Sequence, residues 1–326
     1  MGKPLHVIVC ILLSITGWSQ NLKLPTGDTL RVSNIAQKHG LSQLNVLQFD
    51  FDENGYLWAG TEDGLNRFNG YTMQTYSQNN EEKAGLTDDH IRGLFYANDT
   101  LWLGTNTHSV QAYLPSQDRF IYYRDNEEIA ADPSLSYSHG IYEINSKYLL
   151  VSTLKNCILI NRKSGELSTI PLPDSTSNDY VLGLIKHSDD EIWLGTYFNG
   201  ILKLDLNKMS IGNMPLFDSL DNNPVHAFQK NSSEEILIGT QKGLFRFKFS
   251  EDNLKLVDQA GEDEGIRCFF DWNDDYYLLG STDGLIFLNK NTLELKPIIL
   301  AGFEQEVYSP VEILQIRQDS TNGIWM

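Results

Sequence analysis

Only three cysteines occur among the 326 residues, and one of them, Cys10, lies in an apolar N-terminal stretch. The other two, Cys157 and Cys268, have no companion Cys or His at the short spacings that hold zinc, so neither a metal site nor a cofactor is expected. Positive charge is scarce as well: 25 Lys and Arg stand against 43 Asp and Glu, a formal net charge of −18. That balance argues against nucleic acid and against anionic membrane surfaces as partners. After the first twenty residues there is no apolar run long enough to span a bilayer, and no long stripe at helical spacing. Membrane spans and helical bundles are thereby set aside.

The N-terminal stretch "MGKPLHVIVCILLSITGWSQ" has a lysine near its start, an apolar segment from Val7 to Ile15 and small residues before Gln20. This reads as a secretory signal peptide over residues 1–19, cut after Ser19 with Gly17 three residues before the cut. Cys10 does not mark a lipoprotein, because Val9 sits where a small residue is required.

What the chain has in abundance is a repeat. Trp58, Trp102, Leu150, Trp193, Leu237, Leu278 and Trp325 recur at intervals of 41–48 residues. Two positions on stand Gly60-Thr61, Gly104-Thr105, Ser152-Thr153, Gly195-Thr196, Gly239-Thr240 and Gly280-Ser281. In the first copy "VLQFDF", "YLWAGT", "LNRF" and "YTMQTYS" read as strands, separated by "DENG", "EDG" and "NG". Asn-Gly and Asp-Gly supply the positive φ of tight hairpins. Four antiparallel strands in each such unit make a propeller blade. The expected fold is therefore all-β: a β-propeller over residues 20–326 with six complete blades and a truncated seventh. The tryptophans are expected to pack between blades, and the Gly-Thr pairs to let inner strands approach.

"LRVSNIA", Leu30 to Ala36, matches the outer strand of a blade with no first three strands before it. It is expected to complete the last unit and close the ring. That last unit stops at Met326, before its Gly-Thr and third strand, so the sequence reads as the front of a longer protein. Its unpaired strand edges would let two copies join as a homodimer. Cys157 falls in a third strand and Cys268 in an inner strand, an arrangement that favours two buried free thiols over a disulfide.

Gly40-Leu41-Ser42, Asp52, Gly55, Trp58, Gly60, Thr61, Asp63, Gly64, Leu65, Phe68, Gly70 and Tyr71 together resemble the pattern of two-component regulator propellers. The likeness runs from about residue 28 to the end and fades in the third unit, where Leu150 replaces Trp and Asn156 replaces Gly. The resemblance implies the N-terminal periplasmic sensor region of a Bacteroidetes hybrid two-component histidine kinase. It further implies an oligosaccharide or other small ligand, C-terminal signalling domains of the same protein as partners, and tethering to the inner membrane. Catalysis would lie outside this segment.

Two other functions compete. One is a protein-interaction scaffold. The other is a glycan-active enzyme, since "DENGYLW" resembles the Asp-box of sialidases, but the nine arginines after the leader show no legible triad. A ligand is expected on the face made by the inter-blade loops and the turns between second and third strands. Tyr197 and Phe198, in a turn one residue longer than "TEDG", are the candidate stacking platform, with His108, His139, Tyr180 and His226 as further ligand contacts. The same face also carries Glu62, Asp63, Asn106, Thr107, Lys155, Gln241, Lys242 and Asp283 in its turns, and His90, Tyr137 and Glu264 in its inter-blade loops. No catalytic residue is assigned.

The export reading predicts a mature chain beginning at Gln20 in the periplasm. Mass spectrometry of protein recovered from the native cell envelope checks it; an intact leader on the mature protein would overturn it.

Overall fold

Aspartate at the end of an inner strand sets the first turn of a blade. In the computed structural model, one Asp52 carboxylate oxygen accepts the backbone N–H of Asn54 at 2.9 Å and of Tyr56 at 3.0 Å. The other oxygen accepts the indole N–H of Trp58 at 3.0 Å. Asp319 repeats this with Thr321, Gly323 and Trp325, the indole standing at 2.8 Å. Burial alone would raise the Asp319 pKa, but the hydrogen bonds from Trp325 and Thr321 outweigh it and hold the carboxyl below its ordinary value. An Asp six residues before a Trp is thus one turn in which the acid caps the loop and aims the indole inward.

The Gly-Thr pair divides its work. Thr61 donates its hydroxyl to the Gly64 carbonyl at 2.9 Å, Thr240 to Gly243 at 3.0 Å and Ser281 to Gly284 at 3.2 Å, closing the next hairpin. The glycine admits the neighbouring blade: a Cβ on Gly60 would fall 2.7 Å from Ile91 Cγ2.

The structure describes residues 6–8, 19–23, 29–33, 35, 39–78, 85–107, 110–122, 132–173, 178–251, 253–258, 265–298 and 312–326. Six four-stranded antiparallel sheets form the blades of a propeller. Blade 1 pairs Val46–Phe51, Leu57–Thr61, Gly64–Phe68 and Met73–Tyr76 in chain order. Blades 2 to 6 begin with the inner strands Ile91–Tyr96, Ser138–Glu143, Val181–Lys186, Val225–Ser232 and Ile266–Asp271.

The chain divides into two compact units, residues 45–228 and residues 1–44 with 229–326, the boundary falling inside Val225–Ser232. In the first unit Trp58 is wholly buried against Tyr76 and Tyr113, with ring centroids 5.8 and 5.4 Å away. Leu150, Leu159, Leu194 and Leu204 fill the space between blades 3 and 4. In the second unit Leu237, Ile266, Leu279 and Leu288 form one core, and Phe287, Ile313, Ile324 and Met326 another. Trp102, Trp193 and Trp325 are buried too, so the repeated tryptophan is core. Cys157 and Cys268 are free thiols in a third strand and an inner strand. Burial pushes the Cys157 thiol up, and the Cys268 thiol up to about 12.

The seventh blade is only partly formed among the described residues. The second unit holds a five-stranded sheet in the order Ser19–Lys23, Thr29–Ser33, His6–Ile8, Ile324–Trp325 and Arg317–Gln318. The expected Leu30–Ala36 strand corresponds to Thr29–Ser33; residues 34 and 36 lie outside the described residues. It meets Ile324–Trp325 through His6–Ile8, which runs parallel to both. His6–Ile8 therefore stands where a complete blade has its third strand. Most of the expected leader, residues 1–5 and 9–18, lies outside the described residues.

Truncating Trp58 to Ala removes an indole with no exposed surface and is expected to destabilise the protein by about 3–5 kcal/mol. Asp52→Ala, which strands the indole N–H and two backbone donors, should cost roughly 1–3 kcal/mol. Urea denaturation of both variants reads these values, and a Trp58→Ala protein as stable as its parent would contradict the packing role.

Candidate functional site

The inner strands do not pair evenly with their second strands. Register shifts between Val46 and Gln48, Ile91 and Gly93, Ser138 and Gly140, Val181 and Gly183, and Ile266 and Cys268. The skipped residues are Leu47, Arg92, His139, Leu182 and Arg267. Such a bulge turns the extra residue out of the sheet alternation and re-aims its side chain. Arg92 in blade 2 and His139 in blade 3 share this position.

Within residues 45–228 these two side chains join a run of stacked rings. The Arg92 guanidinium lies 4.9 Å from the Tyr137 ring centroid. Tyr137 meets the His139 ring at 4.6 Å and 56°. His139 and Tyr180 stack at 3.5 Å and 11°, and Tyr180 and Tyr197 at 5.2 Å and 25°. Phe198 packs edge-on to Tyr197 at 4.7 Å. The column thus crosses the ends of blades 2, 3 and 4.

Asp179 holds its far end. This buried residue accepts the backbone N–H of Phe198 at 2.8 Å, and the backbone and side-chain amides of Asn199 at 3.3 and 2.8 Å. Tyr197 donates its N–H to the Tyr180 carbonyl at 3.1 Å, tying the turn to the start of the blade's own inner strand. Gly200 closes that turn at φ +56°, a conformation that favours glycine. At the other end Arg92 donates Nε–H to Asn106 Oδ1 at 3.1 Å.

The polar groups of the column are largely uncommitted. Among the described residues no hydrogen bond joins the hydroxyls of Tyr137, Tyr180 or Tyr197 to the protein. The Nε2 atoms of His139 and His90 are buried without a hydrogen-bond partner, although the Glu62 carboxylate lies 3.8 Å from His90 Nε2. Burial, then the Arg92 charge, push the His139 pKa down to about 3, so its ring is neutral at neutral pH. His90 is lowered by burial and by Arg92, against the opposing pull of Glu62 and Asp88. Burial foremost, with Tyr197 and Tyr137 adding, pushes Tyr180 up to about 12 and keeps its hydroxyl a donor. The arrangement offers flat faces, hydroxyl edges, imidazole nitrogens and one cation.

Of the residues singled out from sequence, Tyr197, Phe198, Tyr180 and His139 come together, with Tyr137. Tyr197 is 37% exposed and Phe198 half-buried. His226 occupies the second position of the blade 5 inner strand, its carbonyl packed against Gly183. His108 lies outside the described residues. Arg92 and Asp179 were missed. Aligning the units on their inner strands would have put Arg92 in one column with His139 and His226.

No protein-family model matches the chain. The extracellular domain of a hybrid two-component system of B. thetaiotaomicron superposes with a TM-score of 0.72 at 22% identity, over 90% of this chain and 40% of that one. A second such domain from the same organism gives 0.67 at 20% identity, over 95% and 38%. At these identities the likeness is one of fold. Among curated proteins, histidine kinase P4 of Formosa agariphila is 44% identical over 48 residues, 15% of this chain and 4% of the kinase. The chain spans well under half the length of each. Among the described residues no helix is long and apolar enough to cross a membrane.

The depressed His139 pKa sets a sign for acid. Below about pH 6.5 the unfolded chain takes up a proton that folded His139 refuses until about pH 3, so stability falls with pH across that window. His139→Phe is expected to lose stability less steeply than the parent between pH 7 and 5. Urea denaturation at both pH values checks this; identical slopes would show that His139 takes its proton in the folded state.

Proposed function

We infer that this chain is the ligand-sensing propeller of an extracytoplasmic receptor. It binds an oligosaccharide on the aromatic column and passes the signal to histidine-kinase domains elsewhere in a longer protein. The reading includes removal of residues 1–19, a periplasmic location and tethering to the inner membrane. One observation carries it. Beside the stacked rings, three tyrosine hydroxyls, the His139 Nε2 and the terminal nitrogens of Arg92 make no hydrogen bond among the described residues, in a fold shared with extracellular domains of two-component systems.

Sugar rings present both a flat C–H face and a rim of hydroxyls. Aromatic faces serve the first and ring-edge donors and acceptors the second. The outer face of Tyr197 offers the stacking surface, because the faces of His139 and Tyr180 are spent on each other. No bond-making step is assigned to this segment.

Calorimetric titration of the chain against a panel of oligosaccharides tests the reading. Tyr197→Ala is expected to weaken binding by about 1–3 kcal/mol with little change in Tm, since the ring is already partly in solvent. Binding unaffected by Tyr197→Ala would move the site off the column. If no glycan binds and a protein partner protects Tyr197, the scaffold alternative takes its place.

A further inference from the structure

The bulge position allows two arginines of this chain to be compared. Arg267 and Arg92 are the skipped residues of their inner strands, in blades 6 and 2. Arg267 donates Nε–H to the Glu312 carboxylate at 2.5 Å and is thereby neutralised within its own unit. Arg92 donates Nε–H to a neutral amide, Asn106, and no carboxylate of the described residues lies within ion-pair distance. Its guanidinium face rests on Tyr137, which fixes the fork while leaving the terminal nitrogens free to donate. Arg67 also lies over rings, those of Tyr56 and Trp58, without an ion pair among the described residues; what sets Arg92 apart is its place in the column of open hydroxyls. Its field reaches the whole site, lowering His90 and His139 and opposing the rise at Tyr180.

We propose that Arg92 receives an oxyanion of the ligand, the carboxylate of a uronic acid or the sulfate ester of a sulfated sugar, while Tyr197 stacks on a neighbouring sugar ring. A planar fork of N–H donors matches either group and gains twice the strength of neutral hydrogen bonds. The Tyr137 ring lies 4.9 Å from the guanidinium and its hydroxyl makes no hydrogen bond among the described residues, so it is a second donor available in the column. The net charge of −18 repels long polyanions, so the preferred ligand is a short acidic oligosaccharide read by local geometry. This assignment rests on the oligosaccharide-sensor reading and narrows it to the acidic class.

The test is calorimetry on the full chain with four sugars and one ion: an oligogalacturonate and its methyl ester, a sulfated oligosaccharide and its desulfated form, and inorganic sulfate. One acidic sugar is expected to bind at least about tenfold tighter than its neutralised form, the scale of a charge-assisted contact. Whichever pair shows the difference identifies the oxyanion. Arg92→Gln should erase the difference, Arg92→Lys keep part of it, and Arg267→Gln leave it intact, with thermal melts confirming that each variant is folded. Acidic and neutral forms binding equally, with Arg92→Gln unchanged and Tyr197→Ala weakened, would overturn the anion assignment and leave the sensor reading standing. Inorganic sulfate binding as tightly as the sugars would overturn it as well. Failure of every sugar to bind would remove both readings together.

Discussion

A missing side chain governs how closely neighbouring sheets approach. At Gly60 and Gly195 any Cβ would fall within 2.7 Å of atoms in the following inner strand, of Ile91 and of Val225 respectively. The hydrogen in its place lets the two sheets touch. Ile91 and Val225 are then wholly buried, which supplies the apolar stabilisation that the small glycine cannot. The inner strands of blades 2, 3, 5 and 6 are pinned in this way at their first residues, Ile91, Ser138, Val225 and Ile266. The residue after the first, in five of the blades, is the one that the register skips.

That pin is what brings side chains of separate blades into one column. With Ile91 and Ser138 fixed against the glycines of the preceding second strands, the bulged Arg92 and His139 are aimed by backbone geometry and not by local sequence preference. Tyr137 and Tyr180 precede the first inner-strand residues of blades 3 and 4, and their rings fall into the same column. Asp179 then brings the Tyr197 turn down onto Tyr180 through three hydrogen bonds to Phe198 and Asn199. Backbone regularity below the site and irregularity at its edge are two sides of one constraint.

Electrostatics separates this end of residues 45–228 from an ordinary packed loop. Rings that merely filled space would bury hydroxyls with partners, as Tyr113 does against Asp118 and Tyr76. In the column the hydroxyls are left open. The imidazole of His139 is held neutral, the phenol of Tyr180 is held protonated, and the one cation has no counter-ion among the described residues. Uncommitted donors beside a preorganised fork are poor for stability and useful for recognition.

The sequence by itself determined the architecture. The interval of 41–48 residues, the strand-borne Trp or Leu and the Gly-Thr pair are local devices, each satisfied within one blade or between a blade and the next. They therefore show as a repeat, and the buried fate of Trp58, Trp193 and Trp325 follows from it. Tyr197, Phe198, Tyr180 and His139 could be singled out because they break the repeat with aromatic and titratable side chains. Only the tertiary structure decided that these rings form one stacked column, that Arg92 joins it, and that Asp179 fixes its end. The reason is the bulge. It leaves no trace in composition or hydrophobic pattern, because it shifts hydrogen-bond register by one residue without changing which residues are apolar, yet it alone sets where the second side chain of each inner strand points.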